Sequence, residues 1–239
     1  YSNYYPERYG VVDPETRRYA TETRPEELAK LRLSWNIGIG DFPRDQTRQR
    51  IGVLAGRTVG IQASRLFYRK EPDISKSARK NRGLYPVHCR IGLISRPSIS
   101  YQRTLVLDAV SGDEAFLTGH VSQRQFNREI GHSRITVSPF GWGELCIRDF
   151  EAVLNGSLLL KPDMSHLETW PNIFVPGETY VPFDWDAKNL RQTALSLLDN
   201  SAETARIVKN ATEAYVDAVG KLTARFASIM EEICSCSTR

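Results

Sequence analysis

The sequence has no long apolar run. Its most apolar stretches, such as Ser157–Leu160 and Ile91–Ile94, are strand-sized, well short of the ~18–20 residues that carry a helix across a bilayer. No charged segment followed by an apolar one opens the chain as a signal peptide would. The first residue is Tyr1 rather than Met, as expected of a fragment or a processed chain. Cysteine is scarce: Cys89, Cys146, Cys234 and Cys236 are the 4 present, too few and too scattered for a disulfide framework. Cys89 and Cys146 lie in apolar segments and read as small core residues. The Cys-x-Cys of the tail lacks the further ligands that a metal needs. A reducing cytoplasm is the expected setting.

Several catalytic signatures are also missing. There is no Walker A spacing and no Gly-x-Ser-x-Gly elbow. His88, His120, His132 and His166 do not follow a metal-ligand spacing, and read as surface or core histidines, with His120 and His166 in segments that could reach a ligand. Asp184-Trp185-Asp186 has the bare spelling of an Asp-x-Asp metal motif, but its place ahead of a helix suits a cap better. No metal and no cofactor are therefore expected.

What remains is ordinary globular composition, 41% hydrophobic and 25% charged in 239 residues. That suits one α/β domain with a smaller extension. The net charge of +4 is unevenly spread: residues 1–80 carry 16 basic against 10 acidic side chains, residues 81–140 carry 7 against 4, and residues 141–239 carry 9 against 14. The basic stretch runs through Arg44, Arg48, Arg50, Arg57, Arg65, Arg69, Lys70, Lys76, Arg79 and Lys80. It is either a solvated surface or a surface for nucleic acid, anionic membrane or a phosphorylated substrate.

Residues 1–24 read as an extended arm, Pro25–Leu33 as a helix, and Ser34–Asp41 as a glycine-punctuated turn. Residues 43–70 hold one or two helices, and 70–83 form a charged linker. The boundary falls near residue 80, dividing an N-terminal arm with a basic helical segment (1–80) from a ligand-binding domain (81–239). Beyond it strands and helices alternate. Strands are expected at Val87–Ile94, Ala115–Thr118, Ile135–Ser138, Leu158–Lys161 and Thr179–Pro182. Helices are expected at Tyr101–Val110, Gln123–Ile130, Glu144–Leu154, Ala187–Leu198, Ala202–Lys209 and Ala211–Ile233. Such alternation marks βαβ units, so the expected fold is an α/β Rossmann-like parallel sheet with helices on both faces. Ligands of such sheets gather at the carboxyl ends of the strands. The loops after Ile94, Thr118, Ser138 and Lys161 then share one rim.

The segment Ser138–Pro162 concentrates the chemistry. Gly141 and Gly143 let backbone approach a ligand closely, and the helix that follows offers N–H groups to an anion. Glu144, Arg148 and Glu151 are spaced +4 and +3, on one helical face that continues to Asn155, with Cys146, Phe150 and Val153 opposite. That face is either an exposed ion-pair ladder or a set of ligand groups aimed at the rim. Arg96, Arg103, Arg148 and Lys161 are the cations placed to meet a phosphate, for which arginine's forked geometry is suited.

The run FGWGELCIRDFEAVLNGSLLLKPD resembles the nucleotide-binding signature of group-1 glycosyltransferases of the GT-B fold: a glycine loop, a helix with a Glu-Ala pair, a Gly, an apolar strand and a Pro. GETYVPFDWDAKNLRQTALSLLDN resembles the strand and helix that follow, and exostosin-like transferases share part of the pattern. The similarity spans residues 87–230. It implies that Glu151 binds the ribose of a nucleotide-sugar donor. The family's first glutamate stands eight positions earlier, where this chain has Gly143, with Glu144 one residue on. By the same resemblance Glu144 and Arg148 are the candidate catalytic residues. Glu151, Arg96, Arg103, Phe140, Gly141, Gly143 and Lys161 are the candidate donor-binding residues.

The resemblance implies metal-independent transfer of a sugar from a nucleoside-diphosphate sugar to a glycan or lipid-linked acceptor, as in polysaccharide synthesis. The protein would be cytoplasmic, with its basic stretch available for peripheral membrane contact. Two other readings stay open at this level: a non-catalytic nucleotide-sugar or scaffold module, and a basic protein binding membrane surfaces or nucleic acid. Nucleic acid is the less expected partner, because no recognition motif accompanies the charge.

Overall fold

The structure is a computed structural model and describes residues 32–33, 46–67, 81–95, 97–141 and 144–236. Of the helix expected at Pro25–Leu33 only Arg32 and Leu33 fall within it, and neither is helical. The expected turn at Ser34–Asp41 lies outside the described residues. The basic segment is helical where described. Helix α1 spans Gln46–Thr58 and α2 spans Ile61–Ser64, running into a short 3-10 turn at Arg65–Phe67.

Five parallel strands form the centre: β1 (Tyr85–His88), β2 (Phe116–Leu117), β3 (Ser133–Val137), β4 (Leu158–Pro162) and β5 (Val181–Phe183), in the order β2-β1-β3-β4-β5. Val87 pairs with Phe116 and Ile135, Ile135 with Leu158, and Leu160 with Val181. The order reverses direction at β1, as in doubly wound α/β sheets. The connecting helices are α3 (Pro97–Ala109), α4 (Gln123–Ile130), α5 (Ile147–Leu154), α6 (Leu190–Asp199) and α7 (Ser201–Cys236). The chain is therefore an α/β Rossmann-like domain, with helices on both faces of a parallel sheet.

Strand alternation divides the core in two. Val87, Ile135, Val137, Leu158 and Leu160 face α3 and α6 through Val106, Val110, Leu190, Ala194 and Leu197. Leu159 lies on the other face with Phe150, Val153 and Leu154 of α5 and Ala211 and Tyr215 of α7. Fully burying an aliphatic side chain stabilises by about 1.5–3 kcal/mol, so these two layers are what hold the sheet and its helices together.

Local signals fix most ends. Pro97 opens α3, where a missing N–H costs nothing. The Ser122 hydroxyl accepts from the Gln125 amide at 3.3 Å and caps α4. Gly156 takes φ 65° to turn α5 into β4, a conformation that a side chain resists. Helix α3 starts at Pro97 rather than Tyr101, α6 at Leu190 rather than Ala187 and β5 at Val181 rather than Thr179, and three further expectations change. Strand β1 stops at His88, because its neighbour β2 ends at Leu117 and leaves residues 91–94 without a ladder to join. Helix α5 starts at Ile147 rather than Glu144, because Asp149 turns back to accept from the Cys146 amide at 2.8 Å. The last two expected helices are one 36-residue helix, α7. Its buried stripe of Thr204, Ile207, Ala211, Tyr215 and Ala218 runs past Asn210 without a break. Among the described residues no helix is long and apolar enough to cross a membrane.

Candidate functional site

All five strands end on one edge, and three of the loops leaving it enclose a cleft. Ser138–Gly141 leaves β3, Asp163–His166 leaves β4 and Asp184–Asp186 leaves β5. The cleft measures about 650 Å³ and is lined by Phe140, Glu144, Asp163, His166, Asp184 and Trp185, among others. Its wall is thus acidic and aromatic. Glu144 Oε1 lies 3.9 Å from His166 Nε2, a charge pair when the histidine is protonated.

The lining residues are fixed from behind. Asp163 accepts from the Ser165 amide at 3.1 Å, the Ser165 hydroxyl at 2.6 Å and the Tyr180 hydroxyl at 3.2 Å. Burial pushes the Asp163 carboxyl up, but these bonds and nearby His166 outweigh it and hold the group below its ordinary value. Tyr180 also accepts from the Met164 amide at 2.9 Å, and burial raises its hydroxyl to about 12. On the β5 side, the Asp184 amide donates to Asn189 Oδ1 at 2.8 Å and the Ala187 amide to the Asp184 carbonyl at 2.8 Å. Ala187 closes that turn at φ 59°, a left-handed conformation unusual for alanine. Asp186 accepts from the Lys188 amide at 3.2 Å, closing a turn rather than capping α6, whose cap position is Asn189.

Beneath the β3 loop lies a fully buried polar network. Lys161 Nζ is 3.1 Å from Asp149 Oδ1, with both side chains completely enclosed. The Ser138 hydroxyl donates to Asp149 at 2.6 Å. Lys161 sits 5.3 Å from the centre of the Phe140 ring, and its Nζ is 3.5 Å from the Ser138 carbonyl. Burial pushes the Asp149 carboxyl up, opposed by the Lys161 ammonium, the Ser138 hydroxyl and the Cys146 amide. Lys161, expected to meet a ligand directly, instead supports Phe140 from below.

The other expected residues separate into two groups. Phe140, Gly141 and Glu144 lie at the rim, Phe140 and Glu144 lining the cleft. Arg103 sits beside it, donating to the Gly92 carbonyl at 2.7 Å and the Phe140 carbonyl at 3.3 Å, while Gln102 accepts from the Phe140 amide at 3.0 Å. Arg103 therefore ties the loop after β1 to the loop after β3. Arg148 turns the other way. It donates to the Arg90 carbonyl at 2.8 Å and stacks over Phe126 at 5.6 Å, and burial lowers its pKa. Because α5 starts late, Glu144 is not on the same helical face as Arg148 and does not continue the expected ladder. Glu151 stands one turn further along α5, half-buried. Arg96 and Gly143 lie outside the described residues.

His88 is a core residue, edge-on to Phe126 at 4.8 Å. Burial lowers its pKa to about 4, with Arg148 and Arg90 adding to the shift and Glu129 opposing it. His120 is exposed beyond β2. Arg90 pairs with Glu129 at 2.8 Å and donates to the Thr118 carbonyl, so the loops after β1 and β2 are also joined by an arginine. Sequence reading missed Asp163, Asp184, Trp185 and Asn189 as cleft residues. The signal for Asp163 and Asp184 was their place immediately after β4 and β5, at the carboxyl end of each strand.

No protein-family model matches this chain, and no curated protein matches it. Among solved structures it is similar to TarM, at 10% identity and TM-score 0.42, over 62% of this chain and 35% of that one. It is also similar to Anabaena Alr3699/HepE in complex with UDP, at 14% identity and TM-score 0.40, over 69% of this chain and 54% of that one. The chain thus spans about a third and about half of the lengths of these two proteins.

Proposed function

We propose that this chain is the nucleotide-sugar-binding part of a glycosyltransferase, and that the cleft at the ends of β3, β4 and β5 receives the donor. The observation that carries the reading is the composition of the cleft at the rim: carboxylates of Glu144, Asp163 and Asp184 beside the rings of Phe140 and Trp185. Ionised carboxylates accept hydrogen bonds from several hydroxyls at once, and aromatic faces cover the apolar face of a sugar ring. The resemblance of residues 138–162 to the donor signature falls on the same loop and helix.

In this reading Glu144 takes hydroxyls of the transferred sugar, and Glu151 takes the ribose. Arg96, ahead of α3, and Arg103 offset charge on the diphosphate. Phe140 and Gly141 shape the loop, with Gly143 beyond them. Arg148 fixes the position of the Arg90 segment rather than reaching the donor. Transfer breaks the bond between the sugar and the diphosphate oxygen and forms a bond from the same carbon to an acceptor hydroxyl oxygen. The acceptor proton leaves to a carboxylate of the cleft or to the departing diphosphate. The protein's contribution is preorganised hydrogen bonding to a charge that grows on the leaving oxygen. The acceptor is a glycan or a lipid-linked glycan, and the transfer needs no metal.

A thermal-shift panel of uridine, guanosine, cytidine and thymidine diphosphates and their sugars tests this, because a ligand that binds only the folded chain raises its melting temperature. At least one nucleotide sugar should stabilise the wild type, and Glu144→Ala and Glu151→Ala should each reduce that shift. A panel without any shift, or both variants responding like wild type, overturns the assignment.

A further inference from the structure

Beside the donor cleft lies a larger groove, about 1040 Å³, between α3 and α6. Its lining includes Tyr101, Trp185, Lys188, Arg191, Gln192 and Ser196. Tyr101 and Trp185 are both more than half exposed, and their rings lie 6.1 Å apart at 35°, forming a tilted aromatic floor open to solvent. Leaving two large rings in water is costly unless something covers them. The turn that carries Trp185 closes at Ala187 with φ 59°, a conformation that costs about 1–3 kcal/mol and is kept where the surroundings require it.

We propose that this groove binds a neutral oligosaccharide, which extends from the donor cleft across the Tyr101–Trp185 pair. Three observations favour that occupant. Trp185 lines both the groove and the cleft, so the two spaces adjoin at one side chain. The groove's cations are already neutralised: Arg191 is 2.7 Å from Asp113 and Lys188 is 2.6 Å from Asp186. An anionic ligand would meet the Asp113 and Asp186 carboxylates beside those cations, whereas sugar hydroxyls can use Gln192, Ser196 and the outer lone pairs of Asp186. The size also fits, since a groove of about 1040 Å³ stands at the upper end of the ~300–1,000 Å³ of small-molecule pockets and is open to solvent. Adjacent sugar rings of a chain present alternating apolar faces, which two tilted aromatic rings can cover in succession.

Acceptor use rests on the proposed donor cleft, whereas glycan binding in this groove does not. The test therefore measures the two separately. Titration calorimetry of the full chain, without nucleotide, uses malto-, cello- and chitohexaose and, as the anionic probe, a sulfated heparin hexasaccharide. At least one neutral hexasaccharide should bind, and Tyr101→Ala should weaken it about tenfold, the scale of one lost aromatic contact. Tyr101→Phe should bind as wild type does, and Tyr101→Ala should leave the nucleotide-sugar thermal shift unchanged. Failure of every neutral hexasaccharide to bind overturns the proposal, as does preference for the sulfated probe. Loss of the nucleotide shift alone in Tyr101→Ala would instead assign the ring pair to the donor base and also overturn it. If glycan binds with no nucleotide-sugar response, the groove stands and the donor reading falls.

Discussion

Lys161→Met removes the ammonium from an otherwise closed pocket and leaves the Asp149 carboxylate behind. At 3.1 Å the two charges attract by about 5 kcal/mol at an effective dielectric of about 20. Breaking a buried pair by removing one partner typically destabilises by about 3–5 kcal/mol. Asp149 keeps the Ser138 hydroxyl at 2.6 Å and the Cys146 amide at 2.8 Å, which places the expected loss at the lower end, near 3 kcal/mol. For a chain of this size that is a fall of about 6–12 °C in melting temperature.

The pH dependence is the sharper signature of the same variant. Burial already pushes the Asp149 carboxyl up, and without Lys161 nothing cationic opposes it. A carboxyl whose folded pKa is raised is stabilised by protonation more in the folded than in the unfolded chain. The deficit of the variant should therefore be larger at pH 7 than at pH 5, shrinking as the pH falls toward the unfolded value of about 4. Urea denaturation at pH 7, 6 and 5 reads it directly, with the denaturant slope unchanged. A loss under about 1 kcal/mol, or a deficit equal at pH 7 and pH 5, would refute an ionised pair at this position.

Two further expectations concern the arginines that tie the rim together. Arg103→Ala frees the Gly92 and Phe140 carbonyls, and hydrogen exchange of the Phe140 and Gly141 amides should quicken about tenfold, with little change in global stability; an unchanged exchange pattern would show that Gln102 alone holds the loop. In the other, the Arg90 hydrogen bonds hold Glu129 below its ordinary carboxyl value, so that pair stabilises at neutral pH and is lost as the pH falls through the folded pKa. Glu129→Gln should cost about 2 kcal/mol at pH 7 and flatten the acid limb of the stability curve, whereas parallel acid limbs would place the acid sensitivity elsewhere.

The alternation of strands and helices was readable because each short strand stands between strong local signals. Helix α4 follows its expected bounds, Gln123–Ile130, since Ser122 caps it. The rim position of Phe140 and Glu144 followed from their place after a parallel strand. The roles of Lys161 and Arg148 did not, because a polar residue's direction depends on partners far away in sequence. Lys161 alternates onto the face that meets α5, where Asp149 sits at a position that an apolar-face count leaves unmarked. Arg148 is drawn to the Arg90 carbonyl, 58 residues earlier. The Tyr101–Trp185 pair joins α3 to the loop after β5, and no local pattern reports that meeting.

The edges of the sheet bear on how the protein can associate. At one side β2 contributes two residues, and at the other β5 contributes three, with Pro182 at its centre. Proline has no N–H to offer, and a two-residue strand offers too little ladder to template a neighbour. Among the described strands neither border offers a strand from a second molecule a long ladder. A two-residue strand at one border and a proline at the other discourage backbone pairing with a second molecule, and so edge-to-edge aggregation of the described sheet.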